Sequence, residues 1–137
     1  MAITQTQTTS FKAELYEAVH NLLTDTLKMA LYTGNASLDE TTLIYTSSNE
    51  VSGDGYVPGG VALQNVTVSA LGYVAYVSFD TVVFNASVTA RGALIYNETQ
   101  GNKSIAVLNF GSDKTSTNFT VTPPANTSTA AIIRSSN

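Results

Sequence analysis

The second half of the chain is a succession of short β-patterned segments, and this feature restricts the possible fold most strongly. Each segment is rich in apolar, β-branched and aromatic residues, which suit a pleated and partly buried strand. The segments cover residues 61–69, 73–79, 82–84, 90–96, 105–110, 119–121 and 130–133. Gly, Asn, Asp and Pro stand between them, as turns require. This spacing predicts a mainly β domain, either an antiparallel β-sandwich or a barrel-like fold.

A helical pattern lies before the strands. Ser10 can cap a helix, and apolar residues follow at three- and four-residue steps, as on one face of an α-helix. This apolar face consists of Phe11, Leu15, Val19 and Leu22. The sequence therefore predicts one amphipathic N-terminal helix over residues 10–23, packed against a face or an end of the β structure.

The remaining N-terminal residues complete the predicted organisation. Residues 1–9 are polar and Thr-rich, which favours a flexible arm, and residues 10–137 are expected to form a single β-rich domain. Between the helix and the later strands, Leu27, Met29 and Leu31 stand at alternate positions. This period of two predicts a half-buried strand.

Composition excludes several classes of function. The chain has 137 residues, only 12% of them charged, a net charge of −4 and no cysteine. Its six Lys and Arg residues are scattered, so we expect no nucleic-acid partner, because such binding needs a basic cluster. Without cysteine there is no disulfide, thiol nucleophile or Cys-ligated zinc. No apolar segment has the length of a signal core or a membrane span, so we expect no membrane partner.

Residues 49–60, which read NEVSGDGYVPGG, contain four glycines and form a specifically shaped loop, called the glycine loop below. The loop lacks the Lys-Ser/Thr ending of a phosphate-binding loop, so we expect no nucleotide cofactor. It is a candidate protein-contact surface. The candidate contact residues in it are Gly53, Asp54, Gly55, Tyr56, Gly59 and Gly60. Tyr56 can either anchor a partner or pack under its own loop.

Acidic residues around the glycine loop raise the alternative of a calcium site. They are Asp39, Glu40, Glu50 and Asp54, and their spacing does not match the EF-hand loop. Asp in a Gly-Asp-Gly turn also has a purely conformational explanation. We therefore expect no metal, and the calcium alternative stays open.

Two further polar residues are notable. His20 is the only histidine, so it would have to act as a base or ligand without a second His or any Cys. No Ser stands in a GxSxG elbow, and we expect no catalytic residue and no enzyme activity. Arg91 stands in an otherwise small or apolar segment next to Gly92. We expect Arg91 to be interfacial or paired with Asp80 or Glu50, with Gly92 allowing another backbone to approach closely.

Four segments carry a family resemblance over residues 11–133. They read FKAELYEAVHNLLTDTLKMALYT, NEVSGDGYVPGG, VTARGALIYN and VLNFGSDK. The chain resembles a family of small virion structural proteins of tailed bacteriophages. Within that class the resemblance favours a capsid decoration (cement) protein.

The resemblance also implies partners and a location. Such proteins are commonly β-rich and often trimeric, are made in the bacterial host cytoplasm, and bind the outside of the assembled shell. The expected partners are the major capsid protein and further copies of this chain, and the expected location is the virion. The alternatives are a tail or fibre component and, from other classes, a small glycan-binding domain or hydrolase.

Overall fold

Antiparallel sheets dominate the fold in a computed structural model, which describes residues 2–124, 127 and 129–135. In chain order the elements are β1 (Thr6–Gln7), α1 (Thr9–Tyr16), β2 (Leu27–Tyr32), β3 (Val61–Ala62), β4 (Thr67–Leu71), β5 (Val74–Ser78), β6 (Val82–Val83), β7 (Val88–Asn97), β8 (Lys103–Ser116), β9 (Thr120–Val121) and β10 (Ile133–Ser135). The predicted mainly β fold with one N-terminal helix is confirmed within these described ranges.

The strands of the described chain form three sheets. The largest has the order β1-β8-β7-β2-β3, and two smaller sheets have the orders β10-β5-β4 and β6-β9. Every pair of neighbouring strands is antiparallel. Residues of the large sheet and of both small sheets meet in one apolar cluster, so the arrangement is that of a β-sandwich.

The centre of the large sheet is buried on both faces. Met29 and Leu31 of β2 belong to the larger apolar cluster, which lies between the sheets. Ala30 and Tyr32, on the opposite face, belong to a second cluster that includes Leu38. The prediction of a half-buried strand was therefore wrong, because residues 33–50 and the N-terminal segment cover the face that would otherwise meet water.

The N-terminal segment also differs from the predicted flexible arm. Ile3 is buried in the second cluster, and its carbonyl oxygen accepts a hydrogen bond of 2.9 Å from the Asn109 side chain. Thr6 and Gln7 pair with β8 opposite Val107 and Ala106. Residues 2–9 are thus held on the body because a single isoleucine fills an apolar site and the edge of β8 offers backbone partners.

The helix is shorter than the predicted 10–23. Its N-cap is Thr8, whose hydroxyl accepts from the Phe11 N–H at 3.3 Å. At the other end Ala18 has a φ of 60°. The Ala18 N–H donates to the carbonyl of Leu15, and the Val19 N–H donates to the carbonyl of Glu14. This is the Schellman arrangement, which ends a helix with a left-handed residue that is usually glycine.

The predicted strands differ most from the structure in three places. The segment 61–69 divides into β3 and β4 around Asn65, which has a φ of 55°. Residues 111–113 (Gly-Ser-Asp), which stand as a turn signal between two predicted strands, lie inside β8 as part of an irregularity opposite Arg91. The last described strand is Ile133–Ser135 instead of 130–133.

Among the described residues, no helix is long and apolar enough to cross a membrane.

The helix end gives a stability prediction. Because an L-residue in the left-handed region is strained, Ala18→Gly is expected to raise the free energy of unfolding by about 1 kcal/mol. The matched control is Ala13→Gly, at an exposed position inside α1. That change is expected to lower the free energy of unfolding by about 0.5–1 kcal/mol. Urea unfolding measures both, and equal destabilisation by the two changes would contradict the Schellman end.

Candidate contact surface at the glycine loop

The glycine loop follows a neighbouring backbone segment closely. A Cβ atom at Gly53 would overlap the carbonyl oxygen of Ser87, and one at Gly55 would overlap that of Asn85. The Ser87 N–H also donates to the carbonyl oxygen of Asp54 at 2.9 Å. The first half of the loop therefore needs glycine for close backbone contact, as its composition predicts.

Both ends of the loop are attached to β2. The Val51 N–H donates to the Leu31 carbonyl at 3.0 Å, next to the start of the loop. At the other end Gly60 has a φ of 82°, and a Cβ atom there would overlap the carbonyl oxygen of Met29. The loop is thus closed on one edge of the large sheet.

The carboxylate of Glu50 holds the loop internally. It accepts hydrogen bonds from the Tyr45 hydroxyl at 2.6 Å, the Tyr56 hydroxyl at 2.5 Å and the Gly59 N–H at 2.8 Å. Hydrogen bonds to a charged group contribute about 1.5–3 kcal/mol each. Glu50 therefore joins the loop to the segment before it, and its oxygens are engaged inside the protein.

Tyr56 packs under its own loop. Its hydroxyl accepts from the Leu31 N–H at 3.1 Å in addition to donating to Glu50, and its ring stacks on Phe84 with centroids 6.1 Å apart. Of the two possibilities that the sequence leaves open, the geometry supports the internal role. The exposed anchor that a partner would contact must be a different residue.

A second pair of tyrosines extends this cluster. The rings of Tyr45 and Tyr96 stack with centroids 4.8 Å apart, and the Tyr96 hydroxyl donates to the Gly59 carbonyl at 2.6 Å. Burial raises the pKa of Tyr96 to about 12, with further contributions from the charges of Glu98 and Glu50. Burial and the hydrogen bond to Glu50 raise the pKa of Tyr45 and Tyr56 as well. These hydroxyls stay protonated donors at neutral pH.

The exposed side of the loop borders an open hollow of about 580 Å³, called the hydroxyl-lined hollow below. Its rim is formed by the start of the loop and by the ends of β7 and β8. The hydroxyl side chains that line it are Thr33, Ser52, Ser87, Thr89, Thr115, Ser116 and Thr117. Val57, in the same loop, is 66% exposed. The surface offers hydroxyl groups and an apolar side chain, and the described lining contains a single charged residue, Glu50.

Arg91 lies where the pairing of β7 and β8 becomes irregular. Its Nη1 is 3.6 Å from the carboxylate of Asp113, and both side chains are substantially exposed. The predicted partners Asp80 and Glu50 were wrong, because Asp80 accepts from the Asn65 side chain at 2.6 Å and Glu50 is held by the tyrosines. An exposed ion pair of this kind contributes about 0.2–1 kcal/mol to the free energy of unfolding, so the Arg91–Asp113 pair adds little to stability.

Gly92 supports the close approach that the sequence indicates. A Cβ atom there would lie 2.6 Å from the carbonyl oxygen of Leu108 and 2.9 Å from the Ile3 side chain. The approaching groups belong to β8 and to the N-terminal segment of the same chain. Gly92 is therefore explained by packing within the protein.

The acidic residues considered for calcium are not gathered into one site. Asp39 accepts from the N–H and the hydroxyl of Thr41, at 2.8 and 2.6 Å, and Asp54 is exposed. In the part of the chain that the structure describes, no group of three or more His, Cys, Asp or Glu residues could hold a metal ion. Asp39, Glu40, Glu50 and Asp54 therefore carry no metal proposal.

His20 is buried in a hydrogen-bonded cluster that the sequence does not reveal. The Asn97 side-chain nitrogen Nδ2, which can only donate, lies 2.8 Å from an Asp25 carboxylate oxygen and 3.0 Å from His20 Nδ1. His20 Nδ1 is therefore an acceptor. The ring proton lies on His20 Nε2, which donates to Glu14 at 2.8 Å. The Phe11 ring packs on the imidazole with centroids 5.1 Å apart. Both ring nitrogens are engaged within the fold.

Comparisons with known proteins identify no relative: no family model, no curated protein and no solved structure matches this chain.

The close contact at Gly60 gives a second stability prediction. Gly60→Ala places a Cβ against the Met29 carbonyl oxygen and puts a non-glycine residue at a positive φ. We therefore expect the free energy of unfolding to fall by about 3 kcal/mol or more. Gly111→Ala is the matched control, because Gly111 has a φ of 85° but a Cβ there meets no atom within 4 Å. We expect Gly111→Ala to lower the free energy of unfolding by only about 1 kcal/mol. Urea unfolding that gave equal losses would contradict the docking of the loop on β2.

The His20 cluster gives a pH prediction through Asp25. Burial alone would raise the pKa of Asp25, but hydrogen bonds from Asn97, the Asn21 N–H and Gln100 outweigh this and lower it below 3.8. A lowered pKa stabilises the fold above the unfolded value, and this contribution disappears as the pH falls through the folded value. The wild type should therefore exceed Asp25→Ala in free energy of unfolding at pH 7.

The difference in free energy of unfolding between the wild type and Asp25→Ala should shrink steadily once the pH falls below 3.8. Urea titrations at several pH values measure it. The control is Asp54→Ala at an exposed position, which should change stability by less than about 0.5 kcal/mol at pH 7. A difference for Asp25→Ala that grows on acidification would have the wrong sign.

Proposed function

We propose that this protein is a structural component of a tailed-bacteriophage virion, and more specifically a capsid decoration (cement) protein. The observation that carries the proposal is that three segments of the resemblance lie together in the fold. The segment NEVSGDGYVPGG forms the glycine loop, VTARGALIYN forms β7, and VLNFGSDK lies in β8. Residues 50–52 of the loop and Val88 and Thr89 of β7 border the hydroxyl-lined hollow, beside Thr115 and Ser116 at the end of β8.

The chemistry of this surface supports a binding role. The hollow offers neutral hydroxyl donors and acceptors, and the loop that borders it exposes the apolar side chain of Val57. The loop beside it is held in shape by Glu50 and by backbone contacts before any partner binds. A pre-organised surface loses less conformational entropy on association, which favours affinity.

The mechanism of stabilisation is added interface area between shell subunits. The major capsid protein is the partner, and each contact would bury roughly 800 Å² per partner, the usual size for a stable complex. Repetition over many equivalent sites raises the overall stabilisation through avidity. Self-association, with a trimer favoured by the resemblance, adds to this effect. The protein is made in the cytoplasm of the bacterial host and resides on the virion.

The N-terminal segment takes no part in this mechanism. Ile3 is buried and Asn109 holds its carbonyl group, so residues 2–9 are already bound to their own chain. The geometry around His20 also supports a binding protein over a hydrolase, because Glu14 and Asn97 occupy both ring nitrogens. A general base needs a free nitrogen within reach of its nucleophile.

Binding to purified phage shells tests the proposal. The protein is expected to bind expanded capsids saturably and to raise the temperature at which they release their DNA. Val57→Asp should weaken capsid binding at least about tenfold, because it buries a charge in the contact. The matched control is Leu23→Asp, since Leu23 is 63% exposed and lies outside the glycine loop.

Two results would contradict the proposal. The first is copurification of the protein with tails alone, which would support the tail or fibre alternative. The second is equal capsid binding by Val57→Asp and the wild type, which would remove the glycine loop from the interface. Circular dichroism of both variants checks that the fold is retained.

A further inference from the structure

Strand β4 is an edge strand whose outer side has no partner in the described structure. The order β10-β5-β4 leaves one side of β4 unpaired. All five of its residues, Thr67–Leu71, are exposed or half-exposed. An unpaired edge presents a row of backbone N–H and C=O groups that can pair with another strand.

The hairpin geometry identifies which backbone groups point outward. Strands β4 and β5 are joined by the two-residue loop Gly72-Tyr73, with Leu71 paired to Val74. In such a hairpin the two residues that flank the loop form a hydrogen-bonded pair, and every second pair along the ladder does the same. Residues 67, 69 and 71 therefore point their backbone groups toward β5. Val68 and Ala70 point theirs outward.

This edge lacks the devices by which proteins normally prevent strand pairing. β4 contains no charged residue, no proline and no bulge, and residues 55–79 contain no charge at all. It also exposes apolar side chains, with Val68 50%, Leu71 64% and Tyr73 85% accessible. The other described sheet-edge strands are only two or three residues long.

We propose that β4 pairs antiparallel with β4 of a second copy of this chain, about a two-fold axis that passes beside Ser69. In this register Val68 lies opposite the partner's Ala70, and Ala70 opposite the partner's Val68. The outward N–H and C=O groups of these residues then form four hydrogen bonds. The sheets β10-β5-β4 of the two copies join into one six-stranded sheet.

A second copy fits this edge because the strand is complementary to itself. An antiparallel pair of identical strands places like residues close to the axis, and like charges there would repel. The uncharged sequence TVSAL avoids that repulsion. The register also places the exposed Leu71 beside the partner's Thr67. A two-fold contact closes on itself, so it coexists with a trimer that uses another surface.

The expected affinity is modest. One five-residue strand covers less than the roughly 800 Å² per partner of a stable complex. Free protein should therefore dimerise reversibly, and copies brought close together should pair more completely. The inference does not depend on the proposed function, because it concerns the chain in solution.

Cysteine cross-linking tests the register, since the chain has no cysteine of its own. In the proposed dimer the two Ser69 residues form a non-hydrogen-bonded pair with Cα atoms about 4.5 Å apart. That separation allows a disulfide. Ala70→Cys is the matched control, because its two Cα atoms would be about 8 Å apart, which is too far. Oxidised Ser69→Cys should form a disulfide-linked dimer at least about tenfold faster than Ala70→Cys.

A proline variant tests the backbone contribution. Ala70→Pro removes an outward N–H and none of the hydrogen bonds between β4 and β5, so the hairpin should be retained. The double variant Ser69→Cys/Ala70→Pro should cross-link at least about tenfold more slowly than Ser69→Cys alone. Equal rates for Ser69→Cys and Ala70→Cys, or no effect of the proline in a protein with unchanged circular dichroism, would overturn the proposal.

Discussion

The β2–β7 pair is buried on both faces, and this burial determines where the other elements must pack. Its residues alternate between two apolar clusters, so neither face can remain in contact with water. The smaller sheets cover one face. The N-terminal segment and residues 33–50 cover the other, which explains why Ile3 and Leu38 are buried outside the strands of the large sheet. The glycine loop continues from this cover and returns to β2 at Gly60.

The glycine loop is a structural feature with an exposed outer surface. Glu50 supplies a charged acceptor for two tyrosine hydroxyls and one backbone N–H, and the glycines allow contacts with residues 85–87 and β2. These interactions engage the Glu50 carboxylate and the Tyr45 and Tyr56 hydroxyls within the protein. What the loop presents to a partner is its fixed shape, together with Val57 and the hydroxyl-lined hollow.

The sequence predicts the fold class and most strand positions, because periodicity and turn residues are local signals. Four other features depend on contacts that local patterns do not encode. Ala18 ends the helix in a conformation usually marked by glycine, and Ile3 is one apolar residue in a polar segment. The partner of Arg91 is Asp113 because the strand pairing is irregular at that point. The tyrosines around Glu50 come together only through the tertiary fold.

We propose that the glycine loop and the hydroxyl-lined hollow contact the major capsid protein on the outside of the shell. A cryo-electron microscopy map of the virion, refined with and without imposed shell symmetry, would locate this contact. We expect density for this chain on the outer capsid surface, with residues 52–58 facing the shell. Density for the chain confined to the tail, or a shell-bound chain whose glycine loop faces solvent, would contradict it.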